Sequence, residues 1–114
     1  MLLDKSFEYF QTFSEKDSEG LRTMFSDDVI LRDWDILANG IDEVVQANQD
    51  IFDSVETIIA TPLHIYIDGN VVIAELEIVV NDEETLWVTD IIEYDDNDKI
   101  KSVRAYKGKI WLIV

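Results

Sequence analysis

Alternation of hydrophobic and polar side chains is the clearest pattern in the chain, and it predicts β-strands through most of the second half. The strongest example is Leu86–Tyr94, which is rich in the β-branched and aromatic residues that strands favour. Because both faces of this strand hold large apolar groups, we expect both to be covered. One face would carry Leu86, Val88, Asp90, Ile92 and Tyr94, and the other Trp87, Thr89, Ile91 and Glu93.

Asp90 stands in the middle of one apolar row of that strand. An ionised carboxylate in such a place costs several kcal/mol unless it is paired or hydrogen-bonded. Burial should therefore raise the pKa of Asp90 and favour its protonated form. We interpret the rest of the chain as the walls of a pocket around this residue.

Further strands are predicted on both sides of this one. Upstream, a short strand at Val29–Asp35 points Val29, Leu31 and Asp33 in one direction, so Asp33 also extends an apolar row. The remaining strands are predicted at Glu56–Ile67, Val71–Val80, Ile100–Lys107 and Ile110–Val114. Thr61–Pro62 interrupts the first of these, and a proline there predicts an edge strand or a bulge.

Helical periodicity is confined to the first half of the chain. Three helices are predicted, and they cover Leu3–Ser14, a short segment from Asp17 or Ser18 through Phe25, and Ile41–Val55. A turn at Ala38–Asn39–Gly40 precedes the third helix. The inward stripe of the first helix would consist of Leu3, Phe7, Phe10 and Phe13, with Tyr9 beside it. Helices followed by an antiparallel meander indicate the α+β class, in one domain over residues 1–114.

Composition excludes several kinds of partner. The chain has 114 residues with 25 acidic and 9 basic side chains, which gives a formal net charge of −16. Such a surface repels phosphate backbones and anionic lipids, so we expect no nucleic-acid or membrane partner. There is no cysteine, and no grouping of histidine with carboxylates has metal-ligand spacing, so we expect no metal or cofactor. The first residues lack a signal-peptide pattern, which predicts a cytoplasmic protein.

Three segments carry a resemblance to a known family. They are Met24–Asp33, Gly40 at the start of a helix, and Thr89–Ile100. Together they resemble the nuclear transport factor 2-like superfamily, in particular its ketosteroid isomerase and SnoaL-like branches. The resemblance implies a cone in which three N-terminal helices pack in a strongly curved, mostly antiparallel sheet of the cystatin-like kind. It also implies an open apolar cavity and a homodimer formed through the outer face of the sheet.

The same resemblance implies a set of catalytic residues. In the isomerases, a tyrosine on the first helix and a protonated aspartic acid on a strand hold a substrate oxyanion, while a second aspartate moves the proton. These roles fall on Tyr9, Asp90 and Asp33. A neutral carboxylic acid can donate a hydrogen bond where negative charge develops, and a nearby carboxylate can serve as base, so the three residue types suit enolate chemistry.

The sequence departs from the isomerases at three positions. Their two supporting tyrosines fall on Phe25 and Asn48, and a pocket tryptophan falls on Lys107. Asn48 lies in the apolar stripe of the third helix, which predicts either a satisfied core amide or a group that lines the cavity. We expect Lys107 at the cavity mouth, where its charge would favour acidic or hydroxylated ligands over steroids.

Two functions remain open from the sequence. The first is a small-molecule isomerase or lyase that transfers protons next to a carbonyl, and the second is a non-catalytic module for ligand binding or dimeric assembly. An open cavity that exposes Tyr9, Asp33 and Asp90 to one point would favour the enzyme, and a cavity plugged by aromatic side chains would favour the module. The candidate ligand-binding residues are Phe25, Asn48, His64, Val88, Val103 and Lys107. The lone histidine in this set is more often a surface residue than a ligand.

Overall fold

The computed structural model describes residues 1–108. The predicted strand Ile110–Val114, with Trp111, lies outside the described residues. Within residues 1–108, three helices and six strands follow one another. The helices are α1 (Leu2–Ser14), α2 (Ser18–Arg22) and α3 (Ile41–Asp53). The strands are β1 (Phe25–Arg32), β2 (Leu37–Asn39), β3 (Ile58–Asp68), β4 (Val71–Val80), β5 (Glu84–Tyr94) and β6 (Ile100–Lys107).

One curved, mixed sheet holds all six strands in the order β2-β1-β6-β5-β4-β3, and the helices pack on it. Neighbouring strands are antiparallel except β1 and β6, which are parallel. This arrangement confirms the predicted α+β class and the three helices of the cone. No helix within residues 1–108 is long and apolar enough to cross a membrane.

Strand β5 has the two faces that alternation predicts. Val88, Asp90, Ile92 and Tyr94 are buried on the inner face, while Trp87 and its outer-face neighbours are half-buried. The inner row packs against the helices and joins a core that contains α1, α3 and the middle strands. Alternation therefore located both the strand and its buried side correctly.

Helix α1 is where it was predicted, but its buried face is turned. Phe7 was expected inside and is 48% exposed, so that part of the predicted stripe is wrong. Phe10 is buried as predicted, and Ser6 and Tyr9 are buried as well. The Ser6 hydroxyl forms a hydrogen bond of 2.8 Å with the Tyr94 hydroxyl. This bond holds Ser6 on the buried face of the helix, where Phe7 was expected. This contact ties α1 to β5.

The segment between α2 and α3 differs most from the prediction. Helix α2 begins after Asp17, whose side chain caps it, but it ends at Arg22 instead of continuing to Phe25. Phe25 already belongs to β1, which starts four residues earlier than predicted and ends at Arg32. The residues predicted to form a turn, Ala38–Gly40, instead contribute to the short strand β2 and the N-cap of α3.

Strand β3 lies at the edge of the sheet, as its proline predicted. Its pairing with β4 shifts by one residue between Pro62 and His64. Side chains alternate between the two faces of a strand. Before the extra residue the even-numbered side chains of β3 face inward, and after it the odd-numbered side chains do. Pro62 lies opposite the buried Leu76, whereas His64 lies opposite the exposed Glu75. His64 is therefore on the outer face of the sheet.

Candidate functional site

A cavity of about 320 Å³ lies between the helices and the inner face of the sheet. Its walls are mostly apolar and come from α1, α3 and the inner rows of β3 to β6. It is open, not filled by aromatic side chains. A larger depression of about 580 Å³ beside α3 and β2 is a shallow surface groove that has no buried polar side chain in its lining. The polar and aromatic residues that line the cavity are Tyr9, Phe10, Phe13, Asp33, Trp34, Asp35, Asn48, Glu84 and Asp90.

Asp90 lies on the inner wall of this cavity and is 7% exposed. Its partners on the neighbouring strands are Ala74 and Ala105, and the small side chain of Ala105 lines the cavity beside it. Burial, reinforced by the nearby charge of Asp33, raises the pKa of Asp90 to about 7. The carboxyl group therefore keeps its proton up to about neutral pH and can donate a hydrogen bond.

Tyr9 reaches the same cavity from α1 and is 5% exposed. The ring of Phe25 packs edge-on against its ring, with 6.2 Å between centroids. Burial raises the pKa of the Tyr9 hydroxyl above its usual range, and the Asp90 carboxyl adds to the effect. The hydroxyl therefore stays protonated. Because the hydrogen bond between Ser6 and Tyr94 ties α1 to β5, it also fixes the helix of Tyr9 against the strand of Asp90.

No hydrogen bond within residues 1–108 uses the Tyr9 hydroxyl or the Asp90 carboxyl group. The same residues include no fully enclosed side-chain nitrogen or oxygen that lacks a hydrogen bond. These two groups are therefore in contact with the open space of the cavity. Both are free to donate to a molecule bound there.

Asp33 lies in the loop that follows β1, at the edge of the cavity. One of its carboxylate oxygens, Oδ1, accepts hydrogen bonds from the backbone amides of Asp35 at 2.8 Å and Ile36 at 2.7 Å. The Asp33 amide in turn donates to the Ile36 carbonyl at 2.9 Å. These bonds fix one oxygen in the loop and leave Oδ2 available to accept a proton.

Asn48 is buried on α3 and lines the cavity. Its Nδ2 donates to the carbonyl of Val44, one helical turn earlier, at 2.9 Å. That bond fixes the orientation of the amide and leaves Oδ1 as an acceptor in the cavity wall. Both alternatives from the sequence thus hold in part, because the amide is satisfied through one atom and lines the pocket.

Three predicted ligand-binding residues do not line the cavity, and these predictions need correction. Phe25 is buried behind Tyr9 and supports its ring. His64 points outward because of the shifted pairing in β3. The Lys107 side chain is exposed, and its Nζ lies 5.3 Å from the centroid of the Trp34 ring. Val88 and Val103, in contrast, do line the cavity.

The structure also adds residues that the sequence analysis did not select. Glu84 and Ala105 line the cavity, and both could have been found by extending the alternation of β5 and β6 along their inner faces. Trp34 and Asp35 belong to the loop after β1 and line the cavity mouth. Both fall at the end of the strand predicted over Val29–Asp35, but β1 ends at Arg32, so the alternation of that strand does not give their orientation in the loop.

The arrangement combines two proton-bearing donors with one fixed carboxylate around an apolar space. Such a set can polarise a carbonyl oxygen through Tyr9 and Asp90 while Asp33 accepts a proton from an adjacent carbon. Residues 1–108 contain no group of three histidine, aspartate or glutamate side chains placed to hold a metal ion. Arg104, on the neighbouring strand β6, pairs with Glu93 at 2.6 Å and not with Asp90.

Comparison with solved structures finds the same fold in several proteins. One is a candidate polyketide cyclase from Sinorhizobium meliloti, with 17% identity and a TM-score of 0.80 over 90% of this chain and 93% of that one. A second is a candidate ketosteroid isomerase from Kribbella flavida, with 16% identity and a TM-score of 0.79 over 97% and 80%. A third is an LEH-like epoxide hydrolase from M. tuberculosis, with 16% identity and a TM-score of 0.79 over 94% and 82%.

At these identities, the likeness to solved structures shows the fold alone. A search of curated proteins gives no match. The model of the SnoaL-like domain family, however, matches residues 7–103, which is most of the chain. The protein therefore belongs to the SnoaL-like domain family, within the nuclear transport factor 2-like superfamily.

Proposed function

We propose that the protein catalyses proton transfer next to the carbonyl group of a small apolar molecule, as an isomerase or lyase. The observation that carries this proposal is the convergence of Tyr9, Asp33 and Asp90 on one open cavity. The raised pKa of Asp90, about 7, supports its role as a donor. Membership of the SnoaL-like family supports the same kind of chemistry.

In the proposed reaction, Asp33 removes a proton from the carbon beside the carbonyl. The electron pair of that C–H bond forms a carbon–carbon double bond, and the carbonyl oxygen takes the negative charge. Tyr9 and Asp90 stabilise this oxygen by donating hydrogen bonds in a site with little water. In an isomerisation the substrate is a β,γ-unsaturated ketone: the carbonyl re-forms, the double bond shifts to the α,β position, and the γ carbon takes the proton back from Asp33. In an elimination the carbonyl re-forms, a double bond forms between the α and β carbons, and the group on the β carbon departs with the electron pair of its bond.

The size and chemistry of the cavity favour a small substrate. Its volume of about 320 Å³ is near the lower end for small-molecule sites, and its polar groups are few. The non-catalytic alternative would use the cavity for binding alone. It leaves unexplained why two buried proton donors and a fixed carboxylate meet in one place, so we prefer the enzyme.

Deuterium exchange tests the proposal without knowledge of the natural substrate. Small methyl ketones such as 4-methylacetophenone would be incubated with the protein in D₂O near neutral pH, and NMR would follow loss of the acetyl protons. We expect exchange faster than in protein-free buffer. Ala105→Leu should remove most of it, because the larger side chain occupies the space beside Asp90. Exchange no faster than in buffer across a panel of ketones would favour the non-catalytic module.

We also propose a homodimer that forms through the outer face of the sheet. Its apolar outward side chains would otherwise leave a large patch in contact with water; they include Tyr66, Ile73, Trp87, Ile91 and Tyr106. Sedimentation equilibrium at micromolar concentration should give twice the monomer mass. Ile91→Arg should give the monomer, whereas Phe7→Arg, an exposed apolar position on α1, should leave the dimer intact. A monomer mass for the unmodified protein would contradict this expectation.

A further inference from the structure

Charge is distributed unevenly around the cavity. Four of its lining side chains are carboxylic acids, namely Asp33, Asp35, Glu84 and Asp90. Of residues 1–108, no lysine, arginine or histidine lines it. The whole chain carries a formal charge of −16, so the field around the cavity has the same sign as the field inside it. A cleft with apolar walls concentrates such a field.

The mouth of the cavity holds the two exposed carboxylates of this group. Asp35 lies in the loop after β1, and Glu84 begins β5. Neither forms an ion pair with another side chain in the described part of the chain. Lys107 does not line the cavity, but its ammonium group lies 5.3 Å from the centroid of the Trp34 ring, which lines the mouth. This one positive charge stands against three carboxylates, because Asp33 lies at the edge of the cavity with Asp35 and Glu84. The net charge at the mouth is therefore negative.

The interior of the cavity points independently to a ligand. Asp90 is 7% exposed, lines the cavity and makes no hydrogen bond within residues 1–108, so its carboxyl group is directed at whatever occupies the space. Tyr9 offers a second donor beside the same space. Asn48 also lines the cavity, and its Oδ1 offers an acceptor there, while one hydrogen of its Nδ2 is donated to the carbonyl of Val44. A carbonyl oxygen of a ligand can accept hydrogen bonds from Tyr9 and Asp90. The carboxylates and the Asn48 carbonyl oxygen, which accept hydrogen bonds, suit hydrogen-bond donors on the ligand.

We infer that the cavity selects carbonyl compounds that carry an amine and rejects those that carry a carboxylate. The inference rests on the proposed function, since it places the carbonyl group at Tyr9 and Asp90. The protonated amine then extends to the mouth and lies near Asp35 and Glu84. This replaces the expectation that Lys107 would favour acidic ligands.

Electrostatics set the size of the effect. Two unit charges about 4 Å apart interact by about 1 kcal/mol in water, which corresponds to about a fivefold change in affinity. An ammonium group gains this energy at the mouth, whereas a carboxylate loses a similar amount. The two compounds should therefore differ by on the order of 10-fold or more at low salt, and less at high salt.

Three matched ketones test the inference. They are 4-methylacetophenone, 4-(aminomethyl)acetophenone and 4-acetylbenzoate, which share the acetyl group and differ in the charge of one small substituent. Dissociation constants would be measured by ligand-observed NMR near pH 6 and about 20 mM salt, and again at about 500 mM salt. We expect the order amine, neutral compound, carboxylate, with a smaller spread at high salt. Binding of the carboxylate as tightly as the amine would overturn the inference.

A pair of double variants tests whether the effect arises at the mouth. Asp35→Asn with Glu84→Gln should reduce the preference for the amine over the carboxylate to about threefold or less. Glu8→Gln with Asp96→Asn changes the net charge by the same amount at exposed positions outside the cavity lining, and should leave the preference nearly unchanged. An equal loss in both double variants would overturn the inference, because the selection would then come from net charge alone.

The exchange of acetyl protons in the same three ketones separates this inference from the proposed function. Preferential binding of the amine without exchange would support the charge selection and contradict the catalytic role. Exchange with equal affinity for all three ketones would support the catalytic role and overturn the charge selection. The two conclusions can therefore fail independently.

Discussion

Asp33→Asn is expected to lower the rate of proton exchange by about 100- to 10,000-fold, the usual contribution of a positioned general base. An amide cannot accept a proton at neutral pH, so the base is lost. The loop should survive, because an asparagine retains the Oδ1 atom that accepts hydrogen bonds from Asp35 and Ile36. The free energy of unfolding should fall by only about 1–2 kcal/mol, because the two hydrogen bonds remain but lose the charge of their acceptor. Exchange kinetics and urea unfolding of the same samples measure the two effects.

Asp35→Asn is the matched control for this experiment. It removes a carboxylate from the same loop and the same cavity mouth, but not the group assigned as base. We expect exchange of neutral 4-methylacetophenone to stay within about threefold of the wild-type rate. A wild-type rate in Asp33→Asn, or an equal loss in both variants, would remove Asp33 from the base role.

The sequence predicted the parts of the fold that depend on regular alternation. Strand β5 shows why, because each side chain's face follows from its position alone once the strand is identified. The same reasoning placed Asp90 in a buried row and predicted the direction of its pKa shift, and the structure bears out both. Asn48 was found in the same way, as a polar interruption of a helical stripe.

The parts that were missed depend on tertiary contacts or on loops. The buried face of α1 is turned because Ser6 meets Tyr94, a residue 88 positions away in the sequence. The face of His64 depends on a shift in pairing that no local pattern specifies. Lys107 was expected at the mouth by analogy with a pocket tryptophan; its ammonium group does lie over Trp34, which lines the mouth, but Lys107 itself does not line the cavity. Thus local periodicity predicted the residues of the inner wall of the cavity. The residues of its mouth could not be predicted in this way, because their positions depend on a loop and on tertiary contacts.

Asp90→Asn is expected to change how stability depends on pH. In the folded protein the pKa of Asp90 is about 7, well above its ordinary value of 3.8. The folded state therefore binds more protons than the unfolded state between these two values. The contribution of Asp90 to stability is fully present below about pH 4 and is lost as the pH rises through about 7. The full change is up to about 4 kcal/mol, of which about 2–3 kcal/mol falls between pH 5 and pH 8.

The variant does not titrate at this position, so it should gain stability relative to the wild type as the pH rises from 5 to 8. Urea unfolding at several pH values measures this difference. Asn48→Leu is the control, because it changes a buried residue of the same cavity without adding or removing a titrating group, and its difference from the wild type should stay constant with pH. Ketone exchange gives a second measurement, since the wild-type rate should fall above about pH 7 as Asp90 loses its proton. A stability difference for Asp90→Asn that does not change with pH would exclude a raised pKa and, with it, the role of Asp90 as a hydrogen-bond donor.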